Sequence, residues 1–114
     1  MKILITLLFA LIFSFKIKAQ TTIITSTISV KGNCGECKER IENAVDIKGV
    51  KTSEWNEKKQ ILSVTYDVKK VSLETIEKTI AKAGHETGTV KADSIAYNAL
   101  PSCCKYQTTD CKKK

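Results

Sequence analysis

Between Thr22 and Lys91 the apolar residues keep switching between two spacings, every second residue and every third or fourth. The order of those switches leaves few folds open, because the two spacings belong to strands and to helices. Residues 22 to 30 are β-branched, with Ile24, Ile28 and Val30 on one face of a half-buried strand. Gly32 and Asn33 break it. From Gly35 to about Ile47 the spacing turns helical: Cys37, Ile41, Ala44 and Val45 form one stripe, while Lys38, Glu39, Arg40 and Glu42 face water. Gly49 is placed to end this helix. Val50 to Trp55 and Ile61 to Tyr66 read as two strands joined by a polar turn at residues 56–59, with Leu62, Val64 and Tyr66 on one face. Ser72 is a good helix N-cap, Glu74 adds negative charge to the first turn, and Leu73, Ile76, Ile80 and Ala83 form a second stripe. Gly84 stops that helix, and His85 to Lys91 reads as a short fourth strand. Residues 93–99 have the pattern of one or two further helical turns, ended by Pro101.

The order β-α-β-β-α-β predicts an α+β chain, a ferredoxin-like sandwich. A four-stranded antiparallel sheet would bury one face under two helices and leave the other to water. There are no internal repeats and no low-complexity linker, so one domain, residues 20–92, is expected, followed by a cysteine-containing extension, residues 93–114.

The first nineteen residues have the layout of a secretory signal peptide. A basic start, Met1-Lys2, precedes an apolar run from Ile3 to Phe15, and cleavage is expected after Ala19. The run is shorter than the ~20 residues a membrane-spanning helix needs. Export to the periplasm is the expectation. The segment carries three lysines and no acidic residue, so the remaining chain has a net charge of +4 where the full sequence has +7. That charge is mixed in sign along the chain, which argues for solubility and against nucleic-acid binding. A monomer is expected.

All five cysteines, Cys34, Cys37, Cys103, Cys104 and Cys111, lie beyond the proposed cut. An odd count in an exported chain leaves at least one sulfur outside any internal pairing. Adjacent cysteines such as Cys103 and Cys104 rarely join each other without strain. Cys34-Gly35-Glu36-Cys37 stands where the first strand hands over to the first helix. Residues i and i+3 share one side of a helical turn, so these two sulfurs can point at a common centre. A helix N-terminus offers unpaired N–H groups and partial positive charge, both of which favour thiolate. Thiolate is the metal-binding form and also the nucleophilic form. Soft sulfur selects Cu(I), and also mercury or zinc, and two sulfurs alone make an open site from which an ion can be passed on. Structural zinc usually takes four ligands.

The stretch from Thr22 to Lys91 resembles the heavy-metal-associated domain, the fold of copper chaperones, of metal-binding modules of metal-pumping ATPases, and of the periplasmic mercuric-ion-binding protein. The resemblance rests on Ser29-Val30-Lys31-Gly32-Asn33-Cys34-Gly35-Glu36-Cys37, then Ile41, Ala44 and Val45, Gly49-Val50, Leu62 to Asp67, and Ala83-Gly84-His85. It implies that Cys34 and Cys37 are metal ligands. The implied cargo is a soft ion: Cu(I) first, Hg(II) or Zn(II) as alternatives. The implied partner is a metal-transporting membrane protein or another metal-binding domain. The family usually has methionine and then Thr, Ser or Asp before its first cysteine; this chain has Gly32 and Asn33.

Other residues are weighed against ordinary structural roles. His85 is the sole histidine, a candidate third ligand or a support for the thiols, or else a partly exposed residue at a strand start. Cys103 and Cys104 have three readings: closing the metal site, forming a second one, or pairing with other cysteines. Cys111 lies in a lysine-rich end. Trp55 and Tyr66 read as sheet packing, and Glu36 as a solvated residue of the first helical turn. No paired carboxylates, phosphate loop or Ser/His/Asp set points to an enzyme. The rival function is a periplasmic thiol–disulfide oxidoreductase using the same Cys-x-x-Cys. Against it stand the strand order, the lack of a tryptophan before Cys34, and the position of Pro101 outside the core.

Overall fold

The computed structural model describes residues 21–108. The proposed signal segment and Cys111 lie outside the described residues. Three strands form one antiparallel sheet: β1 (Ile23–Ser29), β2 (Val50–Asn56) and β3 (Ile61–Asp67), in the order β1-β3-β2. Ile28 pairs with Leu62 on β3, and Leu62 with Trp55 on β2. All three side chains are buried, so this row runs across the inner face of the sheet. Helices α1 (Gly35–Ala44) and α2 (Leu73–Lys82) bury Cys37 and Ile41, and Ile76, Ile80 and Ala81, respectively. Ile41, Ile76 and Ile80 join Val30, Val64 and Tyr66 in a single core. Burying such an aliphatic side chain contributes about 1.5–3 kcal/mol. The outer face carries Thr25, Thr27 and Ser63, which are exposed, and Thr25 and Thr65 hydroxyls pair there at 2.8 Å. Ile24 shares the inner face by alternation yet is 43% exposed.

Helix α1 ends at Ala44, earlier than its apolar spacing implies, with Val45 as its C-cap. The spacing runs on because Val45 is buried and Ile47 half-buried in the turn that follows. Gly49 therefore does not cap the helix. Its φ of +98° turns the chain into β2, where a Cβ would lie 2.9 Å from Val71 Cγ1. Ser72 caps α2 as its sequence position implies, its Oγ accepting from Thr75 N at 3.1 Å.

A fourth strand over residues 85–91 is not formed among the described residues. This segment makes one isolated antiparallel bridge, Thr87 with Val30, supported by Lys31 N to Glu86 O and Gly88 N to Ser29 O. The cause is local. Thr87 Oγ1 accepts from Val90 N at 2.9 Å and Thr89 N at 3.3 Å, and Thr87 N donates to Val90 O at 3.0 Å. A threonine hydroxyl that captures the following amides competes with the ladder, and the chain folds back before a strand can extend.

The segment that follows is docked, not trailing. Asp93 Oδ1 caps α3 (Ser94–Asn98) through Ala96 N at 2.9 Å, and Asp93 N donates to Ala81 O at 2.9 Å. Gly84, at φ +98°, lets the backbone of Ala96 and Tyr97 approach to where a Cβ would meet them at 3.1 Å. Leu100 is buried, and a 3₁₀ turn, Ser102–Cys104, carries Cys104 into the core. Among the described residues no helix is long and apolar enough to cross a membrane.

Candidate metal centre

Cys34 is the N-cap of α1, with extended backbone (φ −154°, ψ −174°) and no side-chain cap bond. Its side chain is half-buried; Cys37, one turn on, is fully buried, and so is Cys104. The three Sγ atoms of Cys34, Cys37 and Cys104 lie within 4.8 Å of one another. A metal–sulfur bond of about 2.3 Å sets three coplanar sulfurs about 4 Å apart, so the trio is close to the size of a three-sulfur site. The open two-sulfur site expected from the sequence is accessible only at Cys34. Cys37 belongs to the buried stripe of α1, and the extension lies over it.

The extension reaches this corner through specific bonds. Asn33 Nδ2 donates to Cys103 O at 3.2 Å, and Cys34 Sγ approaches the same carbonyl at 3.9 Å. Cys103 Sγ donates to Glu36 Oε2 at 2.9 Å. Glu36 is exposed, as its sequence position implies, but it is not merely solvated: the hydrogen bond it accepts holds the Cys103 thiol above the usual range. Burial pushes the Cys104 thiol up, and contact with Cys37 adds to it. Glu36, Cys103 and Cys104 form a second convergent group that shares Cys104 with the first.

Tyr106 anchors the extension from behind. Its hydroxyl donates to Gly84 O at 3.0 Å and accepts from Glu86 N at 3.0 Å. Its ring stacks on His85 at 5.5 Å and meets the Tyr97 ring edge-on at 5.1 Å. Loss of solvent raises its phenol to about 12. His85 is not gathered with the sulfurs in either convergent group, nor is it partly exposed: it is fully buried. Nδ1 lies 2.8 Å from Lys31 O, and a carbonyl only accepts, so Nδ1 carries the proton. Burial, and to a lesser degree the Arg40 charge, hold its pKa below the ordinary value. His85 thus steadies the chain entering the cysteine loop as a neutral imidazole.

The loop is held from below by Trp55. The indole is buried and donates Nε1–H to Val30 O at 3.0 Å. A Cβ on Gly32 would lie 3.0 Å from two carbons of this ring and 3.1 Å from Cys37 Cβ, so the indole fills the space that a side chain at 32 would need. Trp55 is itself clamped to α1, its backbone N–H donating to Glu42 Oε1 and its backbone carbonyl accepting from Lys38 Nζ. Gln60 completes the loop, its Oε1 accepting from Gly32 N at 2.9 Å. Neither Gln60 nor Tyr106 carries a signal in the sequence: one is a polar residue in a hairpin turn, the other an aromatic in a polar tail.

The description "Heavy-metal-associated domain" belongs to the family profile that matches residues 27–86. Among solved structures, the CopZ metallochaperone is 30% identical with a TM-score of 0.55, over 56% of this chain and 98% of that one. Oxidized MerP from Ralstonia metallidurans CH34 is 28% identical with a TM-score of 0.55, over 58% of this chain and 94% of that one. The N-terminal domain of a potential copper-translocating P-type ATPase from Bacillus subtilis, in its Cu(I)-loaded state, is 25% identical with a TM-score of 0.53, over 55% and 81%. No curated protein sequence matches the chain at a significant level. The matched region contains both cysteines of the Cys-x-x-Cys and the elements that hold them, and this supports metal binding by a cysteine motif; the chain belongs to the heavy-metal-associated domain family.

Proposed function

We infer that this protein captures a soft metal ion through Cys34 and Cys37 and passes it on by thiolate exchange, acting as a carrier and not as an enzyme. The observation that carries this reading is the convergence of the two sulfurs within 4.8 Å at the start of α1, on a scaffold shared with the CopZ metallochaperone and with MerP. Thiolate ligands favour Cu(I), with Hg(II) and Zn(II) as competitors. Exchange starts at Cys34, the more accessible of the two sulfurs: an incoming partner thiolate bonds the ion there as the bond to Cys34 breaks. The Cys34 sulfur then regains a proton from solvent, and no electron changes hands. Glu36, Glu39 and Arg40 line a groove along α1 beside the loop, a mixed-charge surface suited to docking a metal-transporting membrane protein or a second metal-binding domain. The apolar run at residues 3–15 supports export, so the site of action is the periplasm.

The test is anaerobic titration of the reduced protein with Cu(I), Zn(II) and Hg(II) separately, followed by native mass spectrometry. Stoichiometric Cu(I) or Hg(II) binding, lost when Cys34 and Cys37 are both replaced by serine in a folded protein, is the expected result. Undiminished affinity in that double variant would overturn the assignment. Turnover in an insulin-reduction assay would instead favour oxidoreductase chemistry.

A further inference from the structure

We propose that the C-terminal extension supplies Cys104 as a third sulfur ligand, so that the ion sits in a trigonal three-thiolate site closed by the extension. The proposal rests on the reading of Cys34 and Cys37 as ligands and deepens it. Three observations carry it. The Sγ atoms of Cys34, Cys37 and Cys104 are mutually within 4.8 Å, and a three-sulfur site with bonds of about 2.3 Å needs about 4 Å, so the sulfurs need move only slightly. Cys104 is fully buried against Cys37 although it lies 67 residues further along the chain. Its position is enforced by bonds that do not involve its own sulfur: Asn33 to Cys103 O, Cys103 to Glu36, and Tyr106 to Gly84 and Glu86.

The chemistry balances without an oxidant. Each sulfur that binds loses its proton to solvent as a metal–sulfur bond forms. Both Cu(I) and Hg(II) accept three thiolates, whereas an isolated Cys-x-x-Cys can offer only two. A third ligand slows release, because exchange must then displace a sulfur that is buried and tethered. It also gives the burial of Cys37 a functional sense: the ion is shielded until the extension lifts.

X-ray absorption of the full chain loaded anaerobically with Cu(I) alone decides the question. Three sulfurs at one distance are expected in the unaltered protein. In Cys104→Ser two sulfurs at a shorter distance are expected, with release to a competing dithiol chelator faster by about tenfold or more. That ratio corresponds to about 1.4 kcal/mol. Cys103→Ser, which keeps a hydroxyl to donate to Glu36 and the backbone carbonyl that Asn33 binds, should keep three sulfurs. Two sulfurs in the unaltered protein, or three retained in Cys104→Ser, would overturn the third ligand while leaving the carrier reading intact. Absence of sulfur-bound Cu(I) in the unaltered protein would overturn both. The spectrum of the unaltered protein decides by itself if Cys104→Ser does not fold.

Discussion

Gly32 and Trp55 divide one volume between them, and the cysteine loop depends on that division. With the indole ring 3.0 Å from a Cβ at position 32, Gly32→Ala forces the ring or the loop to shift. Overpacking of this kind costs about 1–3 kcal/mol. The expected result is a lower urea midpoint with a changed emission of Trp55, the only tryptophan; an unaltered midpoint would show that the loop gives way freely. His85 makes a separate prediction at the same scale. Its folded pKa lies below the ordinary value because burial disfavours the charged ring, so the unfolded chain binds the proton more readily. The stability this contributes is complete above the unfolded value of about 6.5 and is lost as pH falls from there toward the folded value. Urea midpoints should therefore drop between about pH 7 and pH 5, and His85→Gln should flatten that drop.

At the level of elements, the three strands, the two helices and the Ser72 cap are legible because each rests on neighbours in sequence. Leu62, Val64 and Tyr66 alternate inward, and Ser72 caps the helix it precedes. The loss of the fourth strand is not legible, because it comes from a hydroxyl: Thr87 Oγ1 captures the Val90 amide. The end of α1 departs from its apolar spacing for a different reason: Val45 is buried after the helix has stopped. Gly84 sets a test at this scale. Its φ of +98° and the backbone of Ala96 and Tyr97 at 3.1 Å leave no room for a side chain. Gly84→Ala should lose about 1–3 kcal/mol from the backbone conformation alone, read as a lower unfolding midpoint. It should also loosen α3, read as faster amide exchange at Tyr97.

For the whole molecule the decisive contact is between the domain and its extension. Cys37 and Cys104 are both buried where the extension meets α1, so their alkylation is expected to report opening of that contact. In the reduced, metal-free protein Cys34 and Cys103, both partly accessible, should react with iodoacetamide before Cys37 and Cys104. Tyr106→Ala removes two hydrogen bonds and the ring stacked on His85. Each ~1.4 kcal/mol of docking lost should speed labelling of Cys37 and Cys104 about tenfold. Equal rates for Cys34, Cys37, Cys103 and Cys104 in the unaltered protein would show that the extension does not cover the site.

By itself the sequence determined the alternation of strand and helix, the place of Cys34 and Cys37 at their junction, and the family to which that pattern belongs. All of these follow from side-chain periodicity and local turn chemistry, which act over a few residues. Only the tertiary structure decided that Cys104 returns to Cys37, that Glu36 meets Cys103, that Trp55 takes the room beside Gly32, and that His85 serves the backbone of Lys31. These contacts join residues far apart in the chain, and they are selected by how well whole surfaces fit and exclude water, a quantity no local pattern records.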